Sequence, residues 1–116
     1  MVAVGDHYMN GTPDLIKRAS CAFGGGVAGC RKELCGLVSG ATLVLSAMYG
    51  RTDVTQDDAR LKEMVCAYRD RFITQFGSSI CEPVRDQQPE GQKRCGGVVR
   101  IGTRMLVELI EEYQAK

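Results

Sequence analysis

The chain has 116 residues, enough for one domain with a modest core. Apolar residues make up 44% and charged residues 25%, ordinary values for a globular protein. The formal net charge of +1 gives no electrostatic case for a nucleic-acid or anionic-membrane partner.

No apolar run approaches the roughly 20 residues that span a bilayer. The opening MVAVGDHYMNGTPD shows no basic segment followed by an apolar one, so the cytoplasm is the expected location. In a reducing compartment, six cysteines point to metal ligation, redox chemistry or inert packing rather than to disulfide staples. His7 is the one histidine, so imidazole-based zinc or nucleophilic chemistry is poorly supplied.

Residues 1–11 lack periodicity and read as an N-terminal arm, leaving 12–116 as a single helical domain. Thr12-Pro13-Asp14 reads as a helix start, with Thr as N-cap and Pro at the first helical position. Leu15, Ile16, Ala19 and Ala22 would give that helix an apolar face, and Gly24-Gly25-Gly26 would stop it. A second helix runs from about Leu34 or Cys35 to Tyr49, with Gly50 as its stop. No charge falls between Cys35 and Tyr49, which places this helix in the middle of the fold. Gly36 and Gly40 share one of its faces and would let another backbone come close.

Thr55, Asp57 and Asp58 open a third helix that ends near Phe76 with Gly77 as cap. Leu61, Val65 (with Met64), Tyr68, Phe72 and Phe76 form its buried stripe. Ser79-Ile80-Cys81-Glu82 has the spacing of a capping box and announces a short fourth helix, broken at Pro89-Glu90-Gly91. The last helix spans about Lys93 to Gln114, with Cys95, Val98, Val99, Gly102, Leu106, Leu109 and Tyr113 along one side. No long segment alternates with period two. The expected fold is all-α, a small bundle of about five helices.

Cys35, Cys81 and Cys95 each fall at the start of a helix on this map. Backbone N–H groups and the positive dipole end there favour anions, so each thiol is expected to have a lowered pKa. If the three starts converge, they make a site for a thiolate-bound group. Cys30 lies five residues before Cys35 in a glycine-bearing loop that can fold back toward the same site. Cys21 ends the first helix, at the unfavourable end of its dipole, and Cys66 reads as a small residue on a helix flank. There is no C-x-x-C, and the C-x4-C of Cys30 and Cys35 is a weak signal by itself.

Several of these segments resemble the C_GCAxxG_C_C family of redox-active proteins. They are Phe23-Gly24-Gly25-Gly26, then Cys35-Gly36-Leu37-Val38-Ser39-Gly40-Ala41, then Tyr49-Gly50, and Phe72 through Cys81, with Cys95 as the last cysteine. The likeness runs from Ala19 onward. It implies a small helical protein with four characteristic cysteines that is redox-active or holds an iron–sulfur cluster, and it carries over to Cys35, Cys81 and Cys95. Leu37 stands where the family has alanine. The family's first cysteine precedes the FGGG turn on a helix that the sequence does not announce, and Cys30 is the replacement expected ahead of Cys21. No C-x-x-C-H haem attachment motif occurs.

The leading functional expectation is an electron-transfer module with an iron–sulfur cluster, most simply [2Fe-2S], held by Cys35, Cys81, Cys95 and Cys30. A thiol–disulfide oxidoreductase, with Cys35 attacking, is the alternative. A structural or interaction protein whose cysteines bind zinc or nothing is the third. Whether the chain is an enzyme is left open: nothing points to hydrolysis or phosphoryl transfer, and Gly24–Gly26 lacks the lysine and serine of a phosphate loop. The expected partner is a redox protein of unknown identity, with self-association as a further expectation.

Overall fold

The computed structural model describes residues 1–88 and 95–116. Six α-helices follow in order: α1 (Val2–Met9), α2 (Asp14–Ser20), α3 (Gly36–Tyr49), α4 (Ala59–Phe76), α5 (Cys81–Asp86) and α6 (Gly96–Gln114). A 3-10 turn, Cys21–Phe23, continues α2. The described residues contain no strand, only an isolated antiparallel bridge between Leu34 and Ile80. The expected break at Pro89-Glu90-Gly91 and the start at Lys93 lie outside the described residues.

The uncharged α3 is the axis of the fold. It packs against α1, α2, α4 and α6, and Ala41 and Leu45 are fully buried. Helix α4 lays Met64, Tyr68, Phe72 and Phe76 into the core, while Leu61 and Val65 are only half-buried at the edge of the stripe. Gly77, at φ +80°, ends α4 by donating its N–H to the Ile73 carbonyl at 2.7 Å. That left-handed conformation is the one glycine adopts freely. Helix α6 faces α4 with Leu106, Leu109 and Ile110 fully buried. Where Gly102 sits, the Tyr68 hydroxyl donates to the glycine carbonyl at 3.0 Å. At the far end, the Arg60 guanidinium lies near the rings of Tyr49 and Tyr113 and donates to the Tyr113 carbonyl at 2.6 Å. This cation clamps the end of α4 to α3 and α6.

The N-terminal segment is not an arm. Val2–Met9 is helical, and Val4 enters the core against α3. Thr12 fixes it: its hydroxyl donates to the Val2 carbonyl at 3.1 Å, and its N–H donates to Asp6 Oδ1 at 2.8 Å. A side chain at Gly5 would collide with the Thr12 hydroxyl. Thr12 is therefore buried in tying α1 down rather than capping α2, and Pro13 takes the N-cap position. Helix α2 buries none of its residues, and Leu15, expected on an apolar face, is 71% exposed.

Candidate functional site

The site starts from a loop with an unusual backbone. Residues 25–29 all have positive φ, and Arg31 does too. Glycine tolerates this region, but Val27 at +67° is a β-branched residue held where such residues rarely go. Backbone bonds hold the loop closed, among them Ala28 N–H to the Ala22 carbonyl at 2.7 Å, Gly29 to Gly24 at 3.1 Å, and Arg31 to Gly25 at 2.9 Å. The FGGG turn thus folds back on itself.

From Arg31 the chain runs antiparallel to residues 79–82. Cys35 N–H donates to the Ser79 carbonyl at 2.7 Å, Cys81 N–H to Glu33 and Glu82 N–H to Arg31, both at 2.9 Å. This ladder, centred on the Leu34–Ile80 bridge, carries Cys35 and Cys81 to the same place. Gly26 closes on them from the loop: a Cβ there would lie 2.5 Å from the Cys81 Cβ. Gly36 faces the backbone of Phe23 and Gly24, and Gly40 faces the Met1 side chain, so the two glycines on one side of α3 admit two different neighbours.

Cys35 is the N-cap residue of α3, Cys81 the first residue of α5, and Cys95 the N-cap residue of α6, in a left-handed conformation at φ +58°. All three line a single cavity of about 420 Å³, together with Gly24, Leu37, Val84 and Val98. Among the described residues lining it, Arg85 is the one charged side chain. Val2, Phe23 and Val99 rim the cavity and remain partly exposed.

The electrostatics differ from expectation. Burial pushes the Cys35 thiol pKa up, and the nearby thiols of Cys81 and Cys95 push the same way. The N–H groups of Leu37 and Val38 favour its thiolate but do not prevail. Burial also raises Cys81, followed by the effect of Cys95, with Arg85 and Arg31 opposing. The N–H groups at the start of α3 do favour the thiolate, but desolvation outweighs them for a thiol in an apolar cavity. The capping box is absent as well. Ser78, not Ser79, accepts the Ile80 N–H, and Glu82 pairs with Lys32 at 2.7 Å.

The remaining cysteines fall elsewhere. Cys30 is exposed on the glycine loop, outside the cavity lining, and its thiol donates to the Gly26 carbonyl at 2.9 Å. It lies close enough to Cys81 to oppose ionisation there. Cys21 is exposed at the 3-10 turn, its thiol donating to the Lys17 carbonyl, and Cys66 is exposed on α4. Sequence reasoning missed Gly26 as the floor under Cys81, and also Arg85. The Arg85 signal was its place four residues beyond Cys81, one turn along the same helix.

The donor set has the type and the space for a thiolate-bound group: three soft ligands from three segments around one cavity. In their present orientation the thiols do not form a coordinating group. Among the described residues no three His, Cys, Asp or Glu side chains do.

The family model described as Putative redox-active protein (C_GCAxxG_C_C) matches residues 1–109. The chain belongs to this family. The match extends the resemblance, which the sequence carried only from Ala19, back through α1. No curated protein and no solved structure matches the chain. As a C_GCAxxG_C_C protein it is a cysteine-rich member of a family described as redox-active. No helix among the described residues is long and apolar enough to cross a membrane.

Proposed function

We propose that this C_GCAxxG_C_C protein is an electron-transfer module that holds an iron–sulfur cluster, most simply [2Fe-2S], on Cys35, Cys81 and Cys95, with Cys30 as fourth ligand. The observation that carries the reading is that three cysteines from separate helix starts line one cavity. Bound there, the cluster supplies one-electron chemistry.

The chain's own residues do the rest. Leu37, Val84 and Val98 keep water from the sulfurs, and the Arg85 guanidinium offsets negative charge. The Leu37 and Val38 N–H groups favour the Cys35 thiolate, and N–H groups near a ligating sulfur tune reduction potential. Exposed Phe23 and Val99 at the rim offer a redox partner an apolar approach. Initial attack by Cys35 on an external disulfide is the weaker reading, because that thiol is only partly exposed and burial raises its pKa.

The test is protein purified without oxygen and assayed for iron, acid-labile sulfide and visible absorption. Iron and sulfide in equal amounts are expected, with both lost in Cys81→Ser and retained in Cys66→Ser. Zinc without sulfide, or no metal in the anaerobic protein, overturns the cluster.

A further inference from the structure

Cys30 stands apart from the three cavity thiols, yet the backbone brings it to one of them. The segment that begins at Arg31 is lashed to the Cys81 turn by the Cys81–Glu33 and Glu82–Arg31 hydrogen bonds, each 2.9 Å. Between the two cysteines lies Gly26. A Cβ on it would be 2.5 Å from the Cys81 Cβ and 2.9 Å from the Arg31 Cα, while the Gly26 carbonyl accepts the Cys30 thiol at 2.9 Å. Gly26 thus touches both the Cys30 thiol and the Cys81 side chain. Cys35, only five residues from Cys30 in sequence, shares the cavity with Cys81 and Cys95 instead.

Access is divided between the pair. Cys30 is exposed, whereas Cys81 is 8% exposed and looks into the cavity. We infer that Cys30 and Cys81 form a redox-active dithiol that takes a small-molecule disulfide as its oxidant. The exposed Cys30 sulfur attacks one sulfur of the small disulfide, forming a mixed disulfide and releasing one small thiol. The Cys81 sulfur then attacks the Cys30 sulfur, forming the Cys30–Cys81 bond and releasing the second small thiol. Two protein thiols are oxidised, one small disulfide is reduced to two thiols, and the two protein protons leave on those products. Closing the bond requires the loop to move until the two Cβ atoms are about 4 Å apart.

The consequence for the cavity rests on the cluster reading: once Cys81 is bonded to Cys30, neither sulfur can serve as a ligand. The dithiol gates loading.

The experiment uses the reduced, metal-free full chain, treated anaerobically with bis(2-hydroxyethyl) disulfide, alkylated and mapped by mass spectrometry without reduction. The expected result is a crosslink between the peptides carrying Cys30 and Cys81, with two equivalents of 2-mercaptoethanol released. Cys35→Ser keeps this crosslink and Cys30→Ser abolishes it. A crosslink from Cys30 to Cys35, or Cys30 left as a stable mixed disulfide, overturns the inference. The crosslinked protein should take up no iron and sulfide until it is reduced. Uptake equal to that of the reduced chain refutes the gate. If the crosslink forms but reduced protein never takes up iron and sulfide, the cluster reading fails and the dithiol stands. If reduced protein loads a cluster but no Cys30–Cys81 bond forms, the reverse holds.

Discussion

Gly26 lies directly against Cys81, with no room for a Cβ between them. It also holds a left-handed backbone at φ +71°. Gly26→Ala should therefore cost at least about 1–2 kcal/mol from the backbone conformation alone. The added methyl must in addition push the Cys81 turn away from the loop. Chemical denaturation reads the first effect. Faster alkylation of Cys81 relative to Cys66 reads the second. Wild-type stability and an unchanged Cys81 rate would falsify the packing described.

Leu45 and Leu15 are one residue type at opposite extremes, fully buried on α3 and 71% exposed on α2. Leu45→Ala should lose about 2–5 kcal/mol, because the fold cannot fully collapse around the gap. Leu15→Ala should stay within about 0.5 kcal/mol of wild type. Urea midpoints for the pair decide it, and a large loss at Leu15 means that α2 has a covered face after all.

Tyr68 offers a test of one buried hydrogen bond. Its hydroxyl donates to the Gly102 carbonyl at 3.0 Å across the α4–α6 contact. Tyr68→Phe keeps the ring and removes the donor, so a loss of about 0.5–1.5 kcal/mol is expected. Retention of full stability in thermal denaturation would show that the bond contributes nothing net.

Asp6 makes the docking of α1 pH-dependent. The Thr12 N–H, donating to Oδ1 at 2.8 Å, holds its carboxyl below the ordinary value of 3.8. A depressed folded pKa means that the stabilisation is present above the unfolded value and fades as pH falls through the lower folded one. Amide exchange in Val2–Met9 should accelerate on acidification below about pH 4, ahead of exchange in α4. Asp6→Asn should remove that acid-specific step. Identical acid profiles in the variant and wild type would assign the step to another group.

Much of the fold is legible in the sequence, for identifiable reasons. The uncharged run of α3 and the periodic stripe of α4 encode burial locally, and Gly77 encodes its own cap. Helix α1 is not legible, because Val4 is its sole buried large side chain and what stabilises it is Thr12, outside its own turns. The apparent capping box fails for the same reason. Glu82 finds Lys32, fifty residues away in sequence, and the spacing of Ser79 and Glu82 carries no trace of that partner. At the site, α6 begins at Gly96, past the expected Lys93, while the helix starts at Cys35 and Cys81 are readable to within a residue. The rise in the Cys35 and Cys81 pKa is not, because desolvation depends on what surrounds a thiol rather than on its place along a helix.

The three cavity cysteines stand at positions 35, 81 and 95, so the last wall arrives late in synthesis. The Leu34–Ile80 bridge can join the first two while α6 is still being made, but Cys95, Val98 and Val99 reach the cavity only when α6 lies down on α3 and α4. A chain truncated before Cys95 lacks the third thiol and the Val98 and Val99 side of the cavity. A group that needs all three sulfurs can therefore be held only by a fold in which α6 is in place.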